Sequence, residues 1–189
     1  MSINEDLMKA AESGEADTVK KLLDAGADVE AIDRKIGFTA LSHGAYSGGE
    51  DVVSLLLEHG ADVNRQDNLG CPPLFYAVMR GRFHTAKLLL DKGADINAQC
   101  GQSSVKRVSI LQRIINSGNS AHLYADDMIK RVEFMVEHGA DVHSLSVSTL
   151  REDYGKYANE MISLLEVKKP PSKEEAVISP SKKWWKFGK

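Results

Sequence analysis

The sequence predicts an all-α solenoid of stacked helix-turn-helix units joined by β-hairpin-like loops. Three observations carry that expectation. One phrase is written four times: residues 22–30 read LLDAGADVE, 55–64 LLLEHGADVN, 88–97 LLLDKGADIN and 134–143 FMVEHGADVH. Its glycines, Gly26, Gly60, Gly93 and Gly139, are spaced by 34, 33 and 46 residues, and a period near 33 marks a repeat architecture. The run before each glycine has apolar residues at helical spacing, as in Val52, Val53, Leu56 and Leu57 or Ala86, Leu89 and Leu90.

The phrase has direct physical content. Its aliphatic run buries one helix face, and glycine then stands where a helix ends in left-handed geometry, which a residue without Cβ adopts cheaply. Asp62 and Asp95 follow two residues later, where a short acceptor bonds turn backbone. Val63 and Ile96 are expected to anchor the next extended segment, which Asn64 and Asn97 lead away.

Taken in order, Ser2 and Glu5 have capping-box spacing and open a first helix over about residues 5–12. Gly14 breaks it, and 16–24 form the second helix. Glu5, Asp6, Lys9, Glu12 and Glu15 give this first unit (about 3–32) the polar outer surface that a terminal repeat requires. The second unit, 33–66, has Gly37 in its turn, a short helix from Thr39 and a break at Gly48-Gly49. The third, 67–99, is the most regular: a turn at 67–70, a helix opened by Pro72-Pro73 and a break at 80–82. The fourth, 100–143, carries about four extra residues in 100–108 and about nine at 119–127, insertions that map to loops or lengthen a helix. Residues 144–167 are expected to close the stack, with Met161, Ile162, Leu164 and Leu165 on a last helix. The final segment, 168–189, is rich in Pro, Ser and Lys and reads as a disordered basic tail.

The second half of the resemblance lies between the phrases. At the head of each first helix stand Glu5-Asp-Leu-Met, Thr39-Ala-Leu-Ser, Pro72-Pro-Leu-Phe and Ser109-Ile-Leu-Gln. With the GADV phrases, this layout resembles the ankyrin repeat, whose family patterns are G-x-T-P-L-H-x-A-A and L-L-x-x-G-A-D-V-N. The second pattern is strong in four copies and the first is degenerate in all. The resemblance covers about residues 3–166 and implies a non-catalytic protein-interaction module whose hairpins and first helices line a concave binding surface. In that register the outward-facing partner contacts are Arg34, Lys35, Ile36 and Phe38 on the second hairpin, with Tyr46 and Ser47 ending its helix. The third repeat adds Asn68, Leu69, Cys71, Met79 and Arg80, and the fourth adds Asn116 and Ser117. Aromatic, Met and Arg side chains are the types enriched at interface cores.

Composition excludes several other classes. A chain 42% hydrophobic and 27% charged is ordinary for a soluble domain. Residues 1–12 lack the charge and apolar regions of a secretory leader, and no apolar run reaches the roughly 18 residues a membrane span needs. Cys71 and Cys100 are too few for a disulfide scaffold, so a reducing, cytoplasmic setting is the default, although both fall in neighbouring hairpins where a bridge is conceivable. Two cysteines without paired ligands give no zinc site, no Gly-rich phosphate loop is present, and His59 and His138 recur before Gly-Ala-Asp as structural residues. No enzyme, cofactor or metal is expected, and the chain is read as a monomer.

The net charge of −3 divides unevenly. Residues 168–189 hold seven lysines and two glutamates, leaving a body of −8, which argues against nucleic acid as the partner. The tail ends in Lys182, Lys183, Trp184, Trp185, Lys186 and Phe187, an amphiphilic cluster read as a second contact. It suits a groove on a partner protein, a weak contact with anionic lipid in a peripheral membrane-surface adaptor, or a plug on the chain's own acidic concave face.

Overall fold

The computed structural model of the protein describes residues 2–101, 107–117, 125–142, 145, 159, 162, 163 and 165. The two helices of each unit are α1 (Ile3–Ser13) and α2 (Ala16–Asp24), then α3 (Ala40–Ser47) and α4 (Glu50–Glu58). They continue as α5 (Pro73–Met79) and α6 (Phe83–Asp91), then α7 (Ile110–Ser117) and α8 (Ala125–Glu137). First helices pack on first helices, α1 on α3, α3 on α5 and α5 on α7, while α2, α4 and α6 form a second row. This two-layer stack is the solenoid the period predicts.

Local chemistry explains the start of each first helix. Ser2 and Glu5 form the expected reciprocal capping box, and with Ser2 as its N-cap α1 begins at Ile3 rather than at Glu5. The Thr39 hydroxyl accepts the Ser42 N–H at 3.2 Å, and Ser109 caps Gln112 in the same way at 3.2 Å. Pro73 fills the first position of α5, where its missing N–H leaves nothing unpaired. The degenerate head motif thus still supplies a side-chain cap to α3 and α7, and its leucine is the constant part: Leu7, Leu41, Leu74 and Leu111 are all fully buried. Opposite them lie Val19, Val53 and Leu56, Ala86 and Leu89, and Val132 and Met135 in one continuous core.

The four phrase glycines have φ of 89, 88, 92 and 91°. Beyond each, the next alanine N–H closes back on the helix, Ala61 on the Leu56 carbonyl at 3.0 Å and Ala94 on Leu89 at 2.9 Å. The aspartates act as expected, Asp62 Oδ1 accepting the Asn64 N–H at 2.9 Å and Asp95 Oδ1 the Asn97 N–H at 2.8 Å. His59 and His138 each donate Nδ1–H to the carbonyl four residues back, at 2.8 Å, a structural role at both helix ends.

A second set of bonds is not foreseen by the spacing. The residue closing each of the first three phrases reaches into the following unit. Glu30 accepts the Asp62 N–H at 2.7 Å, Asn64 that of Asp95 at 2.9 Å, and Asn97 that of Asp141 at 2.7 Å. Within the first unit Asn4 makes the equivalent bond, accepting the Asp28 N–H at 2.9 Å, while Glu30, Asn64 and Asn97 cross between units. Instead of merely leading the chain away, these side chains tie successive units together.

The fourth unit deviates as its insertions suggest. Helix α8 has 13 residues where α2, α4 and α6 have 9, so part of the second insertion lengthens the helix. Two short strands, β1 (Gln99–Cys100) and β2 (Val108–Ser109), pair antiparallel before α7. Ile162 and Leu165 are helical and buried in the core. Met161, Leu164 and residues 166–189, the tail included, lie outside the described residues, as does the stretch 118–124.

Candidate functional site

The hairpins are built by two aspartates. Asp33 Oδ1 accepts the N–H groups of Lys35 and Ile36 at 2.8 Å and of Gly37 at 3.3 Å, and its Oδ2 accepts that of Phe38 at 3.2 Å. Burial opposes ionisation, yet these donors outweigh it and hold the Asp33 carboxyl below its ordinary 3.8. Asp67 does the same for Leu69 and Cys71 at 2.8 and 2.9 Å, and its other oxygen accepts the Tyr76 hydroxyl. Burial, then that bond, pushes the Tyr76 phenol far above its ordinary value.

The hairpins also stack. The Asn68 N–H donates to the Ile36 carbonyl at 3.1 Å, and the Asn68 side chain covers Gly37. A Cβ on Gly70 would in turn run into the backbone of Gly101.

This geometry sorts the expected contact residues. The residue before each hairpin glycine points out: Ile36 is 40% exposed and Leu69 43%. The residue after it points in, so Phe38 and Cys71 are corrected from the outward-facing set to the core. Phe38 packs on Tyr76 with ring centroids 4.4 Å apart, because the chain must turn under to start α3. Cys71 meets Cys100; both are free, fully buried thiols. That contact, and then burial, pushes the Cys100 thiol far above the ordinary thiol range.

Arg34, Lys35, Asn68, Arg80 and Asn116 are exposed and Met79 is half-buried. Half-buried Ser47 donates its hydroxyl to the His43 carbonyl at 2.7 Å. The Ser117 side chain lies outside the described set. Tyr46 and Arg80, from successive first helices, come together with the guanidinium carbon 4.6 Å from the ring centroid. Beside them the Arg82 side chain lies across Gly48. A recess of about 730 Å³ opens between α1 and the second hairpin, lined by Met8, Lys9, Ile32, Arg34, Ile36 and His43 among others.

Residues 7–100 match the family model for ankyrin repeats, in three copies. The chain belongs to the ankyrin-repeat family. No curated protein matches its sequence.

In this ankyrin-repeat chain, charge is divided between the two helix rows. From the second hairpin onward, the hairpins and first helices carry Arg34, Lys35, Arg65, Arg80, Arg82, Arg107 and Arg113. Their carboxylates are Asp33 and Asp67, both occupied by hairpin N–H groups. The second helices and their turns carry the acids, with Asp17, Asp24, Glu50, Asp51 and Glu58 exposed on α2 and α4. The first helix departs from this division, with Glu5, Lys9 and Glu12 exposed along α1. The acidic body is therefore acidic on the second-helix row. Self-docking of the tail on an acidic concave face loses its electrostatic basis in repeats two to four. The sequence contained this signal, since 34–49, 68–82 and 107–117 hold no Asp or Glu, but the net charge concealed it.

Near Arg80 sits a buried cation. Arg131 on α8 is 6% exposed, and its Nε and Nη1 have no hydrogen-bond partner among the described residues. Burial lowers its affinity for a proton, Asp127 restores part of it, and the nearby Arg80 charge lowers it further. Among the described residues, no three His, Cys, Asp or Glu side chains gather as a metal site.

Proposed function

We propose that the chain is a non-catalytic interaction module (an adaptor, inhibitor or scaffold) that holds a partner protein on its hairpin and first-helix face. Ankyrin repeats generally mediate protein–protein interaction. The observation that carries the face is the outward pair Ile36 and Leu69 on stacked hairpins, together with the Tyr46–Arg80 pair at the ends of successive first helices. Exposed aliphatics, a large aromatic and arginine in one row match the make-up of interface cores. The basic-aromatic residues 182–189 supply a second contact, on the partner or on anionic lipid beside it. A reducing, cytoplasmic setting is part of the proposal.

The test is affinity capture from source lysate with three baits: residues 1–189, residues 1–167, and the full chain with Tyr46→Ala, Leu69→Ala and Arg80→Ala together. A partner retained by the first two and lost by the third supports the face. A partner indifferent to the triple substitution would overturn it. Loss with the shortened bait alone would move recognition to the tail, and vesicle sedimentation would then separate a lipid contact from a protein one.

A further inference from the structure

Some cations of the hairpin and first-helix face are held within it, Arg65 by Glu30 and Arg107 by Gln66 and the Gln99 carbonyl, while others are left for a partner. Asp33 and Asp67 spend their oxygens on hairpin N–H groups and on Tyr76. Arg34, Lys35, Arg80 and Arg82 are all exposed, and among the described residues no carboxylate pairs with them. Exposed ion pairs elsewhere, Lys20–Asp24 and Lys87–Asp91, lie on the second-helix row. These four cations are interspersed with exposed Ile36 and Leu69, and Arg34 and Lys35 share the recess with apolar Met8 and Ile32 and with Glu5 and Glu12 of α1.

Resting on the reading of this face as a protein-docking surface, we propose that it receives an acidic, aliphatic-anchored segment of the partner protein. Arg34, Lys35, Arg80 and Arg82 pair with the segment's carboxylates, and Ile36, Leu69 and the Ile32 side of the recess seat its apolar side chains. Both halves are needed: charges steer and align the segment, and burial of the aliphatics holds it. The interleaving also disfavours a nucleic-acid strand. Bases need free aromatic platforms, and the exposed aromatic of this face, Tyr46, is already covered by Arg80.

The experiment uses the full chain and four immobilised probes, of which three are peptides of about ten residues, long enough when extended to span the stacked hairpins. One set alternates Glu or Asp with Leu or Ile. A second replaces the acids by Lys, a third replaces the aliphatics by Ser, and the fourth probe is a single-stranded oligonucleotide of equal charge. The first set is expected to bind at least about tenfold more tightly than each of the others and to weaken by about tenfold as salt rises from about 50 to about 500 mM. Arg34→Glu with Lys35→Glu should cost that set about tenfold, and Asp51→Lys with Glu58→Lys on α4 should leave it unchanged. If the first pair unfolds, Arg80→Gln with Arg82→Gln makes the same test at the other end of the row.

Equal or tighter binding of the Lys set, or no binding by any peptide while the lysate partner still depends on Tyr46, Leu69 and Arg80, overturns the partner chemistry alone. Preferential binding of the oligonucleotide overturns both the chemistry and the protein-docking reading.

Discussion

The side chain of Asn64 bridges two repeats: its Oδ1 accepts the Asp95 N–H at 2.9 Å, and its Nδ2 donates to the Gly93 carbonyl at 3.1 Å. A single residue thus satisfies two backbone groups at the tightest turn of the next unit. Glu30 and Asn97 repeat the first of these bonds, so the series is a seam along the stack. Because no repeat buries its helix faces alone, such seams link nearest neighbours into one cooperative unit.

Asn64→Ala should therefore lower stability by about 1–2 kcal/mol, two exposed hydrogen bonds at about 0.5–1 kcal/mol each. Urea unfolding checks this. Asn64→Asp keeps the acceptor and loses the donor, and it should fall between the wild type and Asn64→Ala.

Two glycines with similar backbone and different surroundings give a paired prediction. Gly60 has φ 88° and open space within 4 Å of the position a Cβ would take, whereas Gly70 has φ 69° and the Gly101 backbone against it. Gly60→Ala should cost only the left-handed strain of about 1–2 kcal/mol. Gly70→Ala should cost clearly more, since the stacked hairpins must also separate. Equal melting temperatures for the two variants would contradict hairpin stacking as a source of stability.

Acid should act on the second hairpin through Asp33. Its folded-state carboxyl is held below the ordinary 3.8, so its contribution to stability is complete above that value and is lost as pH falls through the folded one. Asp33→Asn should lower stability at neutral pH and flatten the acid limb of a stability-against-pH curve. A variant with an unchanged acid limb would show that the hairpin bonds do not govern it.

The fourth repeat should open before the second and third. It carries both insertions, and its α8 buries Arg131 with no partner for Nε and Nη1 among the described residues, which costs stability unless the group is compensated. Amide exchange should be faster in α7 and α8 than in α3 to α6. Met or Leu in place of Arg131 should narrow the difference. Uniform protection across the stack would contradict this.

What the sequence made legible was local. The helix period, the stop glycines and the Ser2–Glu5 capping box are decided within a few residues, so the helices fall close to where the spacing puts them. What it hid was relational. The roles of Glu30, Asn64 and Asn97 lie one repeat away and leave no trace in the residue's own neighbourhood. Phe38 and Cys71 look like hairpin surface, yet a residue following the hairpin glycine enters the core, and its counterpart before the glycine, Ile36 or Leu69, faces out. Summed charge likewise masks a division between two helix rows.

The most direct measurement is the amide-exchange footprint of the full chain with its captured partner bound. Added protection is expected over residues 33–47 and 65–82 and none on α2 and α4. Protection concentrated on α2 and α4, with the hairpins unchanged, would contradict it.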